Sequence, residues 1–358
     1  MKFLNTIITG TGCYIPEKIV KNSDFLKQVF FEKDKTALTD SQEMIVNKLK
    51  DITGISERRW ASKDQTASSL ATLAAKEAIK DAKIDPETID QIIVAQNFGD
   101  IDIYTNQTDL LPSIASRVKH NLGIQNPSCI PYDIIFGCPG WLQALIQADA
   151  YIKAGLAKRC LVIGAEALSR VIDIFDRDSM IFSDGAGAAI VEAVEGDEQR
   201  GILSTANMSH TNEEASYLFF GKTYAPNNDS NIRYMKMNGR KIYEYSLMHV
   251  PGAMKTALDK TNVPIEKISK ILIHQANEKM DEAIVKRFFR LYGVRRDADE
   301  VMPMSIRELG NSSVATIPTL YDLILKGKIP NHSIAKDNYL IFASVGAGMN
   351  INAVVYKQ

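Results

Sequence analysis

The sequence predicts an α/β protein made of two similar halves, and two observations lead to that prediction. Short apolar runs that fit buried strands alternate with longer stretches of helical periodicity along the 358 residues. The same alternation starts again after a charged segment at residues 195–200. Because alternating strands and helices favour a mainly parallel sheet with helices on both faces, we expect each half to have that arrangement.

In the first half, the elements follow one another with short turns between them. Predicted strands lie at residues 4–10, 91–96, 132–136, 160–165 and 184–194, and predicted helices at 67–82, 112–122 and 139–154. Residues 22–49 are polar, charged and only weakly helical. We therefore expect them to form a solvated excursion on the surface.

The second half repeats this order. Predicted strands lie at 201–208, 268–273, 339–343 and 350–356, the last two antiparallel around the Gly-rich turn SVGAG. Predicted helices lie at 238–259 (interrupted at Pro251–Gly252), 278–291 and 312–325. The run QIIVAQN in the first half is placed like KILIHQAN in the second. We therefore divide the chain into residues 1–195 and 196–358, although two alternating halves could also arise without duplication.

Composition excludes several classes of protein. Apolar residues make up 45% of the chain and charged residues 24%, as in ordinary globular proteins, and the net charge of −1 argues against a nucleic-acid or membrane-surface binder. No apolar run approaches the roughly 18 residues of a membrane span, and the start lacks the features of a signal peptide. The cysteines (Cys13, Cys129, Cys138 and Cys160) have no metal-binding or disulfide spacing. We expect a cytoplasmic protein with reduced thiols.

Cys138 lies in the motif FGCPGW, between a predicted strand and a predicted helix. Gly137 allows a tight turn, and Pro139 suits the first position of a helix. The positive end of a helix favours the thiolate, which is the nucleophilic form of cysteine. A cysteine among apolar residues can equally be a small buried hydrophobic side chain, so this stretch alone leaves both readings open.

Two further polar residues stand where strands end or helices begin. His274 follows the run KILI, and Asn311 lies in GNSS before a predicted helix. Ligands of α/β sheets bind at the carboxyl ends of the strands, where these side chains would meet Cys138. An imidazole can move protons and an amide can donate to a developing oxyanion. Each has a structural alternative, a core histidine or an asparagine that caps a helix.

The order of FGCPGW, HQAN and GNSS resembles the β-ketoacyl-acyl-carrier-protein synthase III family of thiolase-like condensing enzymes. So do GTG at 10–12, TGISERR, LSRVIDIFDRDSMIFSDGAGAAIVE and VGAGMNINA, and the likeness runs nearly end to end. The resemblance implies a thiolase-like five-layered α-β-α-β-α sandwich of two similar halves. It also implies a homodimer and a role in fatty-acid or other lipid synthesis.

The resemblance further implies a reaction with named catalytic residues. Cys138 would take an acyl group from acyl-coenzyme A or acyl carrier protein, and malonyl carrier protein would then lose CO₂ and attack the acyl-cysteine. His274 and Asn311 would stabilise the enolate. The backbone N–H groups of Cys138 and Ala347 would form a second oxyanion hole. No metal or redox cofactor is implied.

Cations at the positions of the family's substrate contacts complete the expected site. Arg177 and Lys279 match places near the pantetheine-phosphate arm, and Lys286, Arg287 and Arg290 form a basic helix face suited to an acidic carrier protein. Ordinary solvated charges are the alternative for all five residues.

Some positions depart from the family pattern. Family members that use coenzyme A hold its adenine between an Arg and a Trp, whereas Ile52 occupies the Arg place here and Met44 is the nearest candidate for the Trp. Leu111 stands where a Phe often narrows the acyl pocket, in a loop at 97–111 that we expect to reach the partner subunit's pocket.

These departures leave a second enzymatic reading open. TGISERRW, NFGD and FGCPGW also look like ketosynthases that join two fatty (β-keto)acyl thioesters, as in dialkylresorcinol formation. An acyl-cysteine thioesterase and a non-catalytic partner subunit are further alternatives. A non-catalytic partner subunit usually lacks the nucleophile, whereas Cys138 is present here.

Overall fold

The computed structural model describes residues 2–228 and 230–358, and a mixed β-sheet forms the centre of the fold. Within those residues the strands are β1 (Phe3–Tyr14), β2 (Lys18–Lys21), β3 (Glu57–Trp60), β4 (Gln91–Ala95), β5 (Asp100–Ile101), β6 (Thr108–Asp109), β7 (Ile130–Ile134), β8 (Arg159–Ala167), β9 (Asp184–Gly196), β10 (Gly201–Ser209), β11 (Leu218–Lys222), β12 (Arg233–Met237), β13 (Ile268–Ile273), β14 (Tyr339–Gly346) and β15 (Asn350–Lys357). The helices are α1 (Gln42–Thr53), α2 (Ala67–Ala82), α3 (Ile114–Leu122), α4 (Gly140–Lys153), α5 (Gly239–Asp259), α6 (Glu278–Arg290), α7 (Ala298–Val301), α8 (Ile306–Leu309) and α9 (Thr316–Leu325).

The large sheet has the strand order β13-β14-β15-β10-β1-β9-β8-β4-β7. Its two ends contain parallel pairs, β13 with β14 and β4 with both β7 and β8. Strands β9 and β15 run antiparallel to both of their neighbours, so the prediction of a mainly parallel sheet was wrong. The reason is that β14 returns as β15 through a short turn, and β8 returns as β9 without an intervening α-helix, so neither connection is a crossover.

The sheet consists of two groups of strands joined at one point. Strands β1, β9, β8, β4 and β7 precede residue 197, and the others in the sheet follow residue 200. The groups meet where β1 and β10 pair at Thr6 and Gly201. Helices α4 and α9 pack between the groups, α2 and α3 cover the first group from outside, and α5 and α6 cover the second. This layering places α4, which follows Cys138, at the centre of the molecule.

Local sequence signals account well for the helices. The run predicted at 67–82 is α2, which begins after a Thr66 side chain that accepts a hydrogen bond from the Ser69 N–H. Helix α5 passes through the buried Pro251 without a break, contrary to the predicted interruption. No helix in the described residues combines the length and the apolar character that a membrane span requires.

Residues 22–49 are the main error in the predicted organisation. They were expected to be solvated, but Phe25, Phe30, Ile45 and Val46 are buried and Phe30 is fully enclosed. These side chains form one apolar cluster with residues of the segment Leu168–Phe182, among them Ile172. The apolar residues of this segment are sparse in sequence and come together only when the chain folds, which is why its average polarity was misleading.

A buried ion pair fixes the β11–β12 hairpin to the body of the protein. The Lys236 side chain is 0% exposed, and its Nζ lies 2.6 Å from Asp173 and 2.9 Å from Asp176. The same ammonium lies 3.3 Å from the ring centre of Tyr224. Buried charges are destabilising unless they are paired. The two carboxylates and the lysine therefore stabilise one another's charged forms.

We predict that Lys236→Met destabilises the protein by about 3–5 kcal/mol, because it leaves two buried carboxylates without a cation. Urea denaturation followed by circular dichroism measures the change. Lys286→Met is the matched control, since Lys286 forms an exposed pair with Glu282 at 3.1 Å and its loss should cost about 0–1 kcal/mol. Equal destabilisation by both variants would contradict the prediction.

Candidate active site

Cys138 lies at the start of the central helix α4. Strand β7 ends at Ile134, two residues earlier than predicted, and Gly137 makes the turn with a φ of 64°. Pro139 occupies the N-cap position rather than the first helical position. The thiol is therefore at the amino end of a buried helix, as the sequence predicted, and it opens onto a cavity.

The loop after β14 approaches the Cys138 segment so closely that each of the two segments needs a glycine at the contact. A Cβ atom at Gly346 would lie 2.5 Å from the Cys138 nitrogen, and one at Gly137 would lie 2.7 Å from the Ala347 nitrogen. Among the described residues, neither the Cys138 nor the Ala347 N–H donates to a protein acceptor. Both residues line the same cavity, so both amides remain available to a ligand there.

Ser313 connects Cys138 to Asn311. The Ser313 hydroxyl donates to the Cys138 Sγ over 3.4 Å, and its backbone N–H donates to the Asn311 Oδ1 over 2.8 Å. Ser313 has a φ of 53°, a conformation that residues other than glycine rarely adopt and that is found at functional sites. The side chain of Asn311 is thereby fixed relative to the thiol.

His274 reaches the same region from the second group of strands. It follows β13, and its backbone N–H donates to the Ala343 carbonyl of the parallel strand β14 over 2.8 Å. Because β14 continues to Gly346, His274 follows β13 beside the strand that leads to the Ala347 loop, but His274 is absent from the linings of the cavities that contain Cys138 and Asn311. His274 is 2% exposed, and in the part of the chain that the structure describes its Nδ1 has no hydrogen-bond partner.

Burial keeps both reactive groups neutral near pH 7. It raises the pKa of the Cys138 thiol to about 11, while the Ser313 hydrogen bond acts in the opposite direction. Burial also lowers the pKa of His274 to about 4. The thiolate that we expected from the helix end alone is therefore opposed by desolvation, which is the larger effect in the free protein.

Asn311 and Ser313, which are joined by a hydrogen bond, line two different cavities. The Asn311 cavity has a volume of about 370 Å³ and is lined by α1, by Arg177–Ile181, and by the starts of α5 and α6. The Cys138 cavity has a volume of about 350 Å³ and is lined by Ser313, Ala347 and mainly apolar side chains. The hydrogen bond between Asn311 and Ser313 therefore links the lining of one cavity to the lining of the other.

The cations predicted to bind substrate are divided between two surfaces. Arg177 lines the Asn311 cavity, with Glu32 3.8 Å away. Lys279 is exposed and lines a neighbouring depression together with Arg307. The structure thus places Arg177, but not Lys279, in the wall of the Asn311 cavity.

The remaining predicted residues lie on the outer surface. Lys286, Arg287 and Arg290 are exposed on α6, and Arg287 donates to the Leu247 carbonyl over 2.9 Å. Leu111 is 89% exposed and is absent from the lining of the Cys138 cavity in the single, described chain. A role for Leu111 in a partner's pocket stays a prediction.

The residues in the place of the adenine clamp are now identified. Ile52 lines the Asn311 cavity, whereas Met44 is 59% exposed and is absent from that lining. Lys48, one helical turn before Ile52 on α1, lines the cavity instead. Lys48 precedes Ile52 by four residues, which places both side chains on the same face of the helix.

Sequence reasoning missed Asn97 and Glu166. The Asn97 Oδ1 accepts from the Gly137 N–H over 2.9 Å, and its Nδ2 donates to Ser313 over 3.3 Å and also to Glu166. Glu166 is 1% exposed, and burial raises its pKa to about 8. Both residues lie at or just beyond the end of a buried strand. The same pattern identified His274 as a candidate, and it could have identified Asn97 and Glu166.

Solved structures place this fold among the thiolase-like condensing enzymes. The 3-oxoacyl-[acyl-carrier-protein] synthase III of Aquifex aeolicus superposes with a TM-score of 0.79 and 30% identity, over 99% of this chain and 100% of that one. Cerulenin-bound OleA of Xanthomonas campestris has a TM-score of 0.77 over 100% of this chain and 98% of its own, but at 19% identity this likeness concerns the fold alone.

Sequence comparison identifies the family. The family model for 3-oxoacyl-[acyl-carrier-protein (ACP)] synthase III matches residues 132–211, and the model for its C-terminal part matches 258–358. The β-ketoacyl-[acyl-carrier-protein] synthase III of Staphylococcus haemolyticus is 33% identical over 99% of both chains. The chain therefore belongs to the β-ketoacyl-[acyl-carrier-protein] synthase III family of acyltransferases, which confirms the predicted family and the thiolase-like fold.

We predict that alkylation of Cys138 by iodoacetamide accelerates with pH through pH 9 and levels off only near pH 11, because the raised pKa keeps the thiol protonated. Ser313→Ala should slow alkylation at every pH below the plateau, since it removes a donor to the thiolate. Ser312→Ala is the matched control, because the Ser312 hydroxyl lies 3.4 Å from Thr316 and has no hydrogen bond to Cys138. Intact-protein mass spectrometry with peptide mapping measures the rates.

A plateau at or below about pH 8.5, the ordinary cysteine range, would contradict this prediction. It would mean that the helix end outweighs burial.

Proposed function

We propose that Cys138 is the acyl acceptor of a two-step condensation. The observation that carries the proposal is the pair of free N–H groups, on Cys138 and Ala347, that line the cavity holding the thiol. The sulfur attacks the carbonyl carbon of an acyl thioester, and the oxyanion accepts from both amides. The carbon–sulfur bond to the donor then breaks, and the thiol proton leaves with the donor sulfur.

His274 and Asn311 serve the second step in this proposal. A malonyl thioester on acyl carrier protein loses CO₂, and its carbonyl oxygen becomes an enolate. Asn311 lines the cavity beside α1, and its Oδ1 accepts from the Ser313 N–H, so its amide N–H₂ group remains to donate. His274 is neutral at pH 7, and one of its ring N–H groups donates a hydrogen bond to the enolate oxygen. The enolate carbon attacks the carbonyl carbon of the acyl-cysteine, the carbon–sulfur bond breaks, and the Cys138 thiolate takes a proton from solvent to restore the thiol.

The carrier arm reaches the site through the Asn311 cavity. Arg177 in its wall is suited to the phosphate of pantetheine, and Lys279 lies beside its mouth in the neighbouring depression. The exposed Lys286, Arg287 and Arg290 continue a basic surface along α6 toward an acidic carrier protein.

The wall of this cavity favours a protein-bound acyl donor over coenzyme A. With Ile52 and Lys48 in place of a guanidinium and an indole, no planar stack for adenine can form between these two positions. The same observation supports the second candidate, a ketosynthase that joins two fatty (β-keto)acyl thioesters. Both functions share the acyl-Cys138 step and differ in the second substrate.

The test is intact-protein mass spectrometry after mixing with acyl thioesters of graded length, each offered on coenzyme A and on acyl carrier protein. We predict acyl labelling of the wild type, faster from carrier protein, and no labelling of Cys138→Ala. Absence of labelling in the wild type would overturn the acyl-cysteine mechanism. Rapid acetyl labelling from coenzyme A would overturn the donor assignment alone.

Addition of malonyl carrier protein or of a β-ketoacyl thioester to the labelled enzyme separates the two candidate functions. His274→Ala and Asn311→Ala should still acquire the acyl group but should form product about 10²–10³-fold more slowly, because each removes a donor to the enolate. His120→Ala, at an exposed position on α3, is the control. Loss of acyl labelling in either site variant would contradict this division of roles.

The assembly that we propose is a homodimer of chains with two similar halves, residues 1–195 and 196–358, acting in the cytoplasm. Strand β7 is the last strand of the large sheet, so its outer backbone groups can pair with a second sheet edge. Large apolar side chains near it are exposed, with Ile130 at 49%, Ile135 at 63% and Leu111 at 89%. All four cysteines are free thiols, which suits a reducing compartment.

We predict a particle of twice the 39.7 kDa chain mass in multi-angle light scattering. Ile135→Asp should shift it toward the single chain, because a charge on an apolar interface must be desolvated. Met248→Asp, at a 70% exposed position on α5, is the matched control and should leave the mass unchanged. A wild type with the mass of one chain would contradict the prediction.

A further inference from the structure

Two stacked phenylalanines stand at the boundary between the Cys138 cavity and a second space. The rings of Phe98 and Phe220 are 5.1 Å apart between centroids and inclined by 10°. Phe98 follows Asn97 after β4, and Phe220 lies on β11. The pair therefore joins the loop that holds Asn97 to the hairpin that covers the site.

Both rings line two spaces at once. One is the Cys138 cavity, and the other is a groove of about 530 Å³, here named the outer groove. The outer groove is also lined by Ile101, Leu110 and Val171 and by polar residues that include Arg233. Since Phe98 and Phe220 line both spaces, their side chains separate the groove from the thiol.

The Cys138 cavity suits a hydrocarbon chain. Its lining includes Ile135, Phe136, Leu218, Phe219 and Met235, all of them apolar. An acyl group bonded to the Cys138 sulfur must extend within this lining, and a long one meets the boundary formed by the two rings. The length of the accepted chain thus depends on whether the rings block the way.

The hairpin holds its phenylalanine in a fixed position. Phe220 is paired with Met235 on β12, and the Met235 N–H donates to the Val171 carbonyl over 2.8 Å. The next residue, Lys236, is anchored by its buried ion pairs with Asp173 and Asp176. Because these contacts fix the hairpin, Phe220 forms a fixed wall of the cavity rather than a movable lid.

We propose that the Phe98–Phe220 pair sets the longest acyl chain that Cys138 accepts, by closing the Cys138 cavity against the outer groove. The proposal rests on the function proposed above, since it concerns the acyl group held by Cys138. Truncation of either ring connects the two spaces, and the outer groove then receives the end of a longer linear chain.

The test measures the rate of acyl labelling of Cys138 for linear chains of increasing length, on the donor that labels the wild type. For Phe220→Ala, the ratio of long-chain to short-chain rates should rise at least about tenfold for chains beyond the wild-type limit, the discrimination that a hydrophobic pocket makes for one methylene. Phe98→Ala should raise the same ratio, because Phe98 is the other ring of the pair. It serves as a second variant should Phe220→Ala fail to fold.

Phe219→Ala is the matched control. Phe219 is the neighbouring residue on β11 and lines the Cys138 cavity without lining the outer groove. Its truncation enlarges the same cavity by the same side-chain volume but leaves the wall closed, so the length limit should move by less than in Phe220→Ala.

The outcomes separate this inference from the proposed function. Short-chain labelling with an unshifted length limit in both Phe220→Ala and Phe98→Ala overturns the wall alone. An equal shift in Phe219→Ala also overturns it, because cavity volume would then explain the change. Failure of every chain to label the wild type overturns the proposed function itself.

Discussion

The site depends on a contact between two backbone segments that belong to different groups of strands. The segment before α4 carries Cys138, and the turn after β14 carries Ala347. At Gly346 and Gly137 the two segments approach to distances that no side chain could occupy. This contact brings two amide donors to one cavity, and it forms only when both groups of strands pack on the central helices α4 and α9.

The electrostatic character of the site follows from the same close packing. Enclosure raises the pKa of Cys138 and lowers that of His274, so neither carries a charge in the free protein near neutral pH. In the proposed reaction charge develops only when a substrate is present, and the fixed N–H groups of Cys138 and Ala347 are the dipoles that would stabilise it. An environment that disfavours charge in the resting state makes those dipoles more effective.

The sequence was a good guide where the signal is local or carried by a motif. The bounds of α2, the position of Cys138 at the start of α4, and the family could all be read from residues close together in the chain. The burial of residues 22–49 and the Phe98–Phe220 pair could not, because they depend on which distant segments come into contact. The raised pKa of Cys138 could not be predicted for the same reason. The position of Cys138 before a helix is visible in the local sequence, whereas its burial depends on distant segments. Lys48 could have been found from its four-residue spacing to Ile52 on α1.

The Asn311 cavity has a consequence for the order of events in the proposed cycle. Both thioesters carry the same kind of arm, and both must bring their carbonyl past Asn311 to reach one sulfur. The donor carrier therefore has to depart before the second carrier can dock, which gives a ping-pong sequence of substrates. An excess of either carrier then obstructs the other, so the ratio of the two carriers, rather than their total amount, governs the flux through the enzyme.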